Sequence, residues 1–115
     1  MFDIGLRLVM LPILVAQGVR VRARALRLPE ADGPRFGQLG DGPPLSILIL
    51  GDSSAAGVGV GQQSQALSGQ LAQSLGMHFK LDWRLVAQTG ATTRSTLNTL
   101  NRLKPVPFDV IVTAL

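Results

Sequence analysis

The sequence predicts an α/β domain built on a parallel sheet, preceded by an N-terminal arm of different character. Two observations predict this fold class. From residue 45 onwards, short apolar runs typical of buried strands alternate with stretches in which leucines recur at helical spacing. The resulting order is strand, helix, strand, helix, strand, which is typical of parallel strands joined by crossover helices.

The composition is that of a globular chain, and it excludes several kinds of site. Apolar residues make up 46% of the 115 residues and charged residues 16%, which is too apolar for a disordered protein. With no cysteine and one histidine, thiolate and multi-histidine metal sites are excluded, and we expect no metal and no cofactor. The formal charge of +4 comes from the first 28 residues, where five arginines face one aspartate. Because no nucleic-acid-reading module accompanies this charge, we expect no nucleic-acid binding.

Residues 1–28 form the N-terminal arm, which we expect to be helical. Residues 8–16 (LVMLPILVA) are an apolar run interrupted by Pro12, and four arginines follow it. This run is shorter than the roughly 20 residues of a membrane-spanning helix, and a secretory signal carries its positive charge before the apolar run. Two alternatives fit better: a helix packed on its own domain, and an in-plane helix on an anionic membrane surface. We therefore expect a cytoplasmic protein, peripheral at the membrane in the second alternative.

Residues 29–44 are rich in glycine and proline, which is typical of a linker or an irregular surface stretch. The regular domain is expected to begin after it. Residues 45–50 (LSILIL) predict a strand buried on both faces, and residues 51–61 predict a glycine-rich turn.

The remaining elements are predicted from apolar spacing and from the residues that end helices. They are a helix over residues 62–75, a strand over 81–87, a turn over 88–92, a helix over 93–103 and a strand over 109–115. Each helix has one apolar face, formed by Leu67, Leu71 and Leu75 in the first and by Leu97, Leu100 and Leu103 in the second. Three strands with two helices cannot cover both faces of a parallel sheet, so we expect a truncated part of a longer domain.

The turn at residues 51–61 follows a strand, where open α/β sheets place their sites. A phosphate-binding loop requires a lysine and then a Ser or Thr after its last glycine, but two glutamines follow Gly61. A dinucleotide-binding loop requires G-x-G-x-x-G and an acid after the second strand. This turn has G-x-G-x-G, and Gln88 follows the second strand. Both nucleotide interpretations are therefore poor.

A third interpretation makes Ser53 a nucleophile. It comes three residues after the predicted strand, so its hydroxyl can point away from the sheet edge while N–H groups of the turn face a developing oxyanion. Gly51 would permit a tight exit from the strand, and Asp52 could brace the turn through its carboxylate. The spacing alone supports two interpretations equally: a nucleophile, and a turn that only caps the next helix.

Three motifs resemble the GDSL or SGNH hydrolase family over about residues 45–115. Gly51-Asp52-Ser53, with Gly57 four residues later and an apolar strand before it, resembles the family's first block. Residues 88–92 (QTGAT) resemble its second block, in which Gly90 would carry the oxyanion-hole glycine. Residues 108–115 resemble the strand that leads into the family's Gly-x-Asn-Asp block.

The resemblance implies a three-layer α/β/α, flavodoxin-like parallel sheet, with only its first three strands and two helices present. It also implies a hydrolase that cleaves esters or thioesters of lipids or small acyl groups through an acyl-enzyme on Ser53. The N–H groups of Ser53 and Gly90 would form the oxyanion hole, and Gly51, Asp52 and Gly57 would support the turn.

The family's oxyanion-hole asparagine block and its late Asp-x-x-His block do not occur in these residues. The single histidine, His78, falls between the first domain helix and the second strand, which places it at the amino end of the sheet, away from Ser53. We therefore expect little or no esterase activity from this chain alone. The alternative is a non-catalytic, truncated α/β binding module or a gene remnant.

Overall fold

The computed structural model describes residues 2–24, 28–103 and 107–115. These residues form a mixed α/β structure with four helices and a four-stranded sheet in the order β1-β3-β2-β4. The helices are α1 (Phe2–Arg24), α2 (Ser53–Ala56), α3 (Leu67–Gly76) and α4 (Thr93–Leu103), with a 3-10 turn at Gln63–Gln65 before α3. The strands are β1 (Phe36–Leu39), β2 (Pro44–Gly51), β3 (Lys80–Ala87) and β4 (Val110–Ala114).

The parallel part of the sheet follows the predicted order. β2 lies in the centre and pairs in parallel with β3 on one side and with β4 on the other. α3 connects β2 to β3, and α4 connects β3 to β4 with the predicted helix bounds. The predicted α/β class and the predicted order of strands and helices after residue 45 are therefore confirmed, because long apolar runs and leucine spacing carry enough local information.

The prediction of an all-parallel sheet was wrong, and so was the interpretation of residues 29–44 as a linker. β1 lies inside that stretch and pairs antiparallel with β3, with Phe36 opposite Arg84 and Leu39 opposite Leu81. The sheet is therefore mixed. Four residues close to glycine and proline are too few for an alternating apolar pattern to predict a strand. β1 forms because it pairs with the edge of β3, and this contact cannot be recognised from the local sequence.

One face of the sheet holds the main core. Ile47, Ile49, Leu81, Trp83 and Leu85 are buried there together with Ala55 of α2 and Ala72 of α3. The predicted apolar face of the first domain helix packs against this cluster, through Leu67, Leu71 and Leu75. Burial of these side chains on one contiguous face holds α2 against the end of β2.

The apolar face predicted for α4 is only partly buried. Thr96 is the buried residue of this helix, whereas Leu97 is 56% exposed and Leu103 is 45% exposed. β4 beside it also exposes Val110 and Ile111. These side chains stay exposed because β4 is an edge strand among the residues that the structure describes, and none of those residues covers its outer side.

The expected N-terminal helix is present, but the alternative in which it packs on its own domain was wrong. α1 runs for 23 residues and continues through Pro12, so the helix is far longer than its uninterrupted apolar run. None of its apolar segment is buried, so it does not pack on the domain. By length and composition alone, it is the one described helix that could cross a membrane.

Candidate active site at the carboxyl end of the sheet

The carboxyl ends of three parallel strands lie level with each other. Gly51 at the end of β2 pairs with Ala87 of β3 and with Ala114 of β4. Two loop hydrogen bonds extend this alignment, from the Gln88 N–H to the Gly51 carbonyl (3.2 Å) and from the Asp52 N–H to the Ala114 carbonyl (3.1 Å). Since Ser53 and Gly90 follow within three residues of these ends, both lie at the same edge of the sheet.

His78 lies at the other edge of the sheet, as predicted. It precedes Lys80, which pairs with Pro44 at the amino end of β2. β3 has eight residues and rises about 3.3 Å per residue, so the two edges are about 23 Å apart along the strand. This exposed histidine therefore cannot accept a proton from Ser53.

Ser53 is the first residue of α2, and Asp52 caps that helix. The Asp52 Oδ1 atom accepts hydrogen bonds from the Ser54 N–H (2.9 Å) and from the Ser54 hydroxyl (2.8 Å). These bonds, the backbone one foremost, lower the pKa of Asp52. The Ser53 hydroxyl is half-buried and makes no hydrogen bond within residues 28–103 and 107–115. Asp52 thus does the capping, and the Ser53 hydroxyl is left for other chemistry.

Two backbone N–H groups at this edge are also uncommitted. The Ser53 N–H belongs to the first turn of a helix, where N–H groups have no intrahelical acceptor. Gly90 has a φ of +80° and open space where a side chain would lie. Within the described part of the chain, neither N–H has a hydrogen-bond partner. Both N–H groups are therefore free to donate a hydrogen bond at this edge.

The glycines on either side of Ser53 are required by close contacts. A Cβ added to Gly51 would collide with the Ala55 side chain and with the Ala114 carbonyl oxygen. Gly57, at the end of α2, has a φ of +85°, and a Cβ there would lie 2.6 Å from the Ala31 side chain. Such a φ strains any residue with a Cβ, so both positions favour glycine for steric reasons.

Residues 30–35, here called the bracing segment, hold the Ser53 loop from outside. These residues belong to the stretch that was predicted to be a linker. The Ala31 N–H donates to the Ala56 carbonyl (3.2 Å), and the Gln63 Nε2 atom donates to the carbonyls of Ala31 (3.2 Å) and Ala56 (2.9 Å). Gln63 is buried and in turn accepts a hydrogen bond from Ser68. A buried amide with all these partners fixes the bracing segment against α2.

Glu30 and Arg35 of the same segment hold the turn that carries Gly90. One Glu30 oxygen accepts from the Thr89 N–H (2.6 Å) and hydroxyl (3.0 Å), and the other accepts from Arg35 (2.8 Å). Arg35 also donates to the Ala87 carbonyl (2.7 Å). Partial burial alone would raise the pKa of Glu30, but the Thr89 bonds and Arg35 together lower it. No local pattern signals this clamp, because Glu30 and Thr89 are 59 residues apart.

We expect the free energy of unfolding of the Glu30→Gln variant to fall less in acid than that of wild type. The lowered pKa of Glu30 means that its carboxylate stabilises the folded state above the ordinary glutamate value and loses that contribution as pH falls through the folded-state value. Urea unfolding should show a lower free energy of unfolding than wild type at pH 7 and a smaller difference in acid. The effect is modest, about 1 kcal/mol, because both side chains of the Glu30–Arg35 pair remain about a third exposed.

The matched control is Asp41→Asn, which removes an exposed carboxylate that has no hydrogen-bond partner in the described residues. It should leave the free energy of unfolding within about 0.5 kcal/mol of wild type at both pH values. Equal pH dependence in Glu30→Gln and wild type would contradict the bracing role of this carboxylate.

Two cavities border the sheet of the described residues, and neither is lined by Ser53. A small one of about 40 Å³ is lined by Gly51, Ala87, Gln88 and α4 residues. A larger groove of about 360 Å³ lies between β1 and the start of α3, against Phe36 and Trp83, and includes neither Ser53 nor Gly90. In residues 2–24, 28–103 and 107–115 no cluster of His, Cys, Asp or Glu could hold a metal ion.

No protein-family model, curated protein or solved structure shows significant similarity to this chain. The resemblance to GDSL or SGNH hydrolases therefore rests on the motifs quoted above. The geometry of the sheet edge is independent of that resemblance.

Proposed function

We propose that this chain carries the nucleophile half of a GDSL- or SGNH-type serine hydrolase, which cleaves carboxylic esters or thioesters of lipids or small acyl compounds. The observation that carries the proposal is the uncommitted Ser53 hydroxyl at the same sheet edge as the free N–H groups of Ser53 and Gly90. In this proposal, β2, β3 and β4 are the first parallel strands of a three-layer, flavodoxin-like sheet, and β1 is an added antiparallel edge.

The chemistry follows from these positions. The Ser53 oxygen attacks the acyl carbonyl carbon and passes its proton to a general base, while the Ser53 and Gly90 N–H groups stabilise the oxyanion. Collapse of this intermediate breaks the C–O or C–S bond, and the alcohol or thiol leaves with that proton. Water then attacks the acyl-enzyme and gives a proton to the base, and the base passes that proton to the serine oxygen as the acid is released.

The general base has to come from outside residues 1–115. His78 is at the opposite edge of the sheet, and it is the only histidine. Asp52 is adjacent to Ser53, but its carboxylate is occupied by Ser54 and its pKa is lowered, which makes it a poor proton acceptor at neutral pH. Asp52 therefore positions the turn and does not carry the proton.

A fluorophosphonate probe tests the proposal on a form of the protein that continues beyond Leu115 and supplies a histidine base. We expect covalent labelling at Ser53, located by peptide mass spectrometry, and none in Ser53→Ala. Ser54→Ala is the matched control, since it removes the neighbouring hydroxyl but keeps the nucleophile, and it should still be labelled. Labelling that is absent, or that persists in Ser53→Ala, would contradict the proposed nucleophile.

A second candidate is a non-catalytic α/β binding module. The groove of about 360 Å³ between β1 and α3 favours it, because this volume lies in the range of small-molecule sites and is separate from Ser53. Such a module would leave Ser53 unlabelled by the fluorophosphonate, so the same experiment distinguishes the two candidates.

A further inference from the structure

α1 has the length and the surface of a helix in contact with lipid. Its 23 residues rise about 34 Å at 1.5 Å per residue, and the hydrocarbon core of a bilayer is about 30 Å thick. Its large apolar side chains are exposed, among them Ile4, Leu8, Leu11, Leu14 and Val19. Water is a costly environment for such a surface, which monomeric soluble proteins rarely expose.

The polar side chains of α1 lie at its ends rather than along one face. Asp3 and Arg7 are one turn apart near the start and form an ion pair of 2.9 Å, and Arg20, Arg22 and Arg24 lie in the last two turns. Between Arg7 and Arg20 the helix has no charged residue, and apolar residues occupy every side. An in-plane helix requires a continuous polar face, which this distribution does not provide.

We infer that α1 spans a lipid bilayer as an anchor, with its arginine-rich end at the anionic cytoplasmic surface and the α/β domain on that side. The arginines attract anionic headgroups, and the excess of positive charge at one end sets the orientation. The Asp3–Arg7 ion pair neutralises the charges near the other end, where a long arginine side chain reaches the interface. This inference does not depend on the proposed esterase chemistry.

Alkaline carbonate extraction of bacterial membranes containing the full chain tests the inference. We expect the intact chain to stay in the membrane pellet after extraction. Release by carbonate would show an in-plane helix, recovery in the soluble fraction would show no membrane binding, and loss of the helix by cleavage would show a signal sequence. Each of these three results would overturn the proposal.

A charge placed in the middle of α1 provides a second test of the spanning arrangement. Leu11→Arg places a charge at the centre of the bilayer and should reduce the ratio of carbonate-resistant to released chain by roughly 100-fold. Val21→Arg adds the same charge among the arginines and should leave that ratio unchanged. Circular dichroism of both variants checks that the α/β domain is folded. Equal carbonate resistance of the two variants would overturn the spanning arrangement.

The orientation is measurable because the chain has no cysteine of its own. A membrane-impermeant maleimide should label Asp3→Cys in intact cells and Asp41→Cys only after lysis. The reverse pattern would overturn the inferred orientation, since Asp41 belongs to the α/β domain and Asp3 to the opposite end of α1.

Discussion

Residues 1–115 alone are expected to hydrolyse p-nitrophenyl acetate no faster than their Ser53→Ala variant. A serine without a general base is a weak nucleophile, and His78 lies at the wrong edge of the sheet to serve. A longer form that supplies a histidine base should show turnover that Ser53→Ala lowers by roughly 10⁴-fold or more. Initial rates of p-nitrophenol release, measured side by side at one protein concentration, check both statements.

The control for this comparison is His78→Ala in both forms. This exposed histidine should be replaceable without a change in rate in either form. A Ser53-dependent rate in residues 1–115 that equals the rate of the longer form would overturn the half-site description. A rate in either form that falls with His78→Ala would show that the histidine reaches the serine.

The Gly51→Ala variant is expected to lose about 3 kcal/mol of folding free energy. The added methyl group meets the Ala55 side chain on one side and the Ala114 carbonyl oxygen on the other. The carbonyl belongs to the backbone of β4 and cannot rotate away, so relief requires movement of a strand or of α2. That loss is a large share of the stability of a small domain. Urea unfolding followed by circular dichroism measures it.

Gly61→Ala is the matched control, because it lies in the same loop region with open space around it and without a left-handed φ. Its free energy of unfolding should stay within about 0.5 kcal/mol of wild type. If Gly51→Ala is as stable as Gly61→Ala, the packing of α2 against the end of β2 is looser than the structure shows. The same result would remove the steric reason for glycine before the Asp-Ser pair.

The elements that were predictable are those with a local signal. The apolar run of β2, the leucines of α3 and the helix Thr93–Leu103 carry their periodicity within a few residues. Ser53, Gly51, Asp52 and Gly57 were recognisable as a motif for the same reason, since they occupy one short turn. The resemblance also implied that Gly90 and Ser53 belong to one site, and the structure places both at the carboxyl edge of the parallel strands.

The elements that were missed depend on partners far along the chain. β1 is a strand only because β3 offers its edge, and the Glu30 clamp on Thr89 is made across 59 residues. The helical arm itself was predicted over residues 1–28, but its ability to span a membrane was judged from the nine-residue apolar run alone, whereas the helix continues through Gly18 and the arginines.

By itself, the sequence determined the α/β class of the domain, the place of Ser53 after a buried strand, and the lack of a histidine base near it. The tertiary structure decided that the sheet is mixed, that residues 30–35 brace both loops of the site, and that α1 lies exposed with no cover from the domain. The reason is physical: periodicity and turn chemistry act between neighbours in sequence, whereas strand edges, buried glutamines and carboxylate clamps are satisfied only by groups that folding brings together.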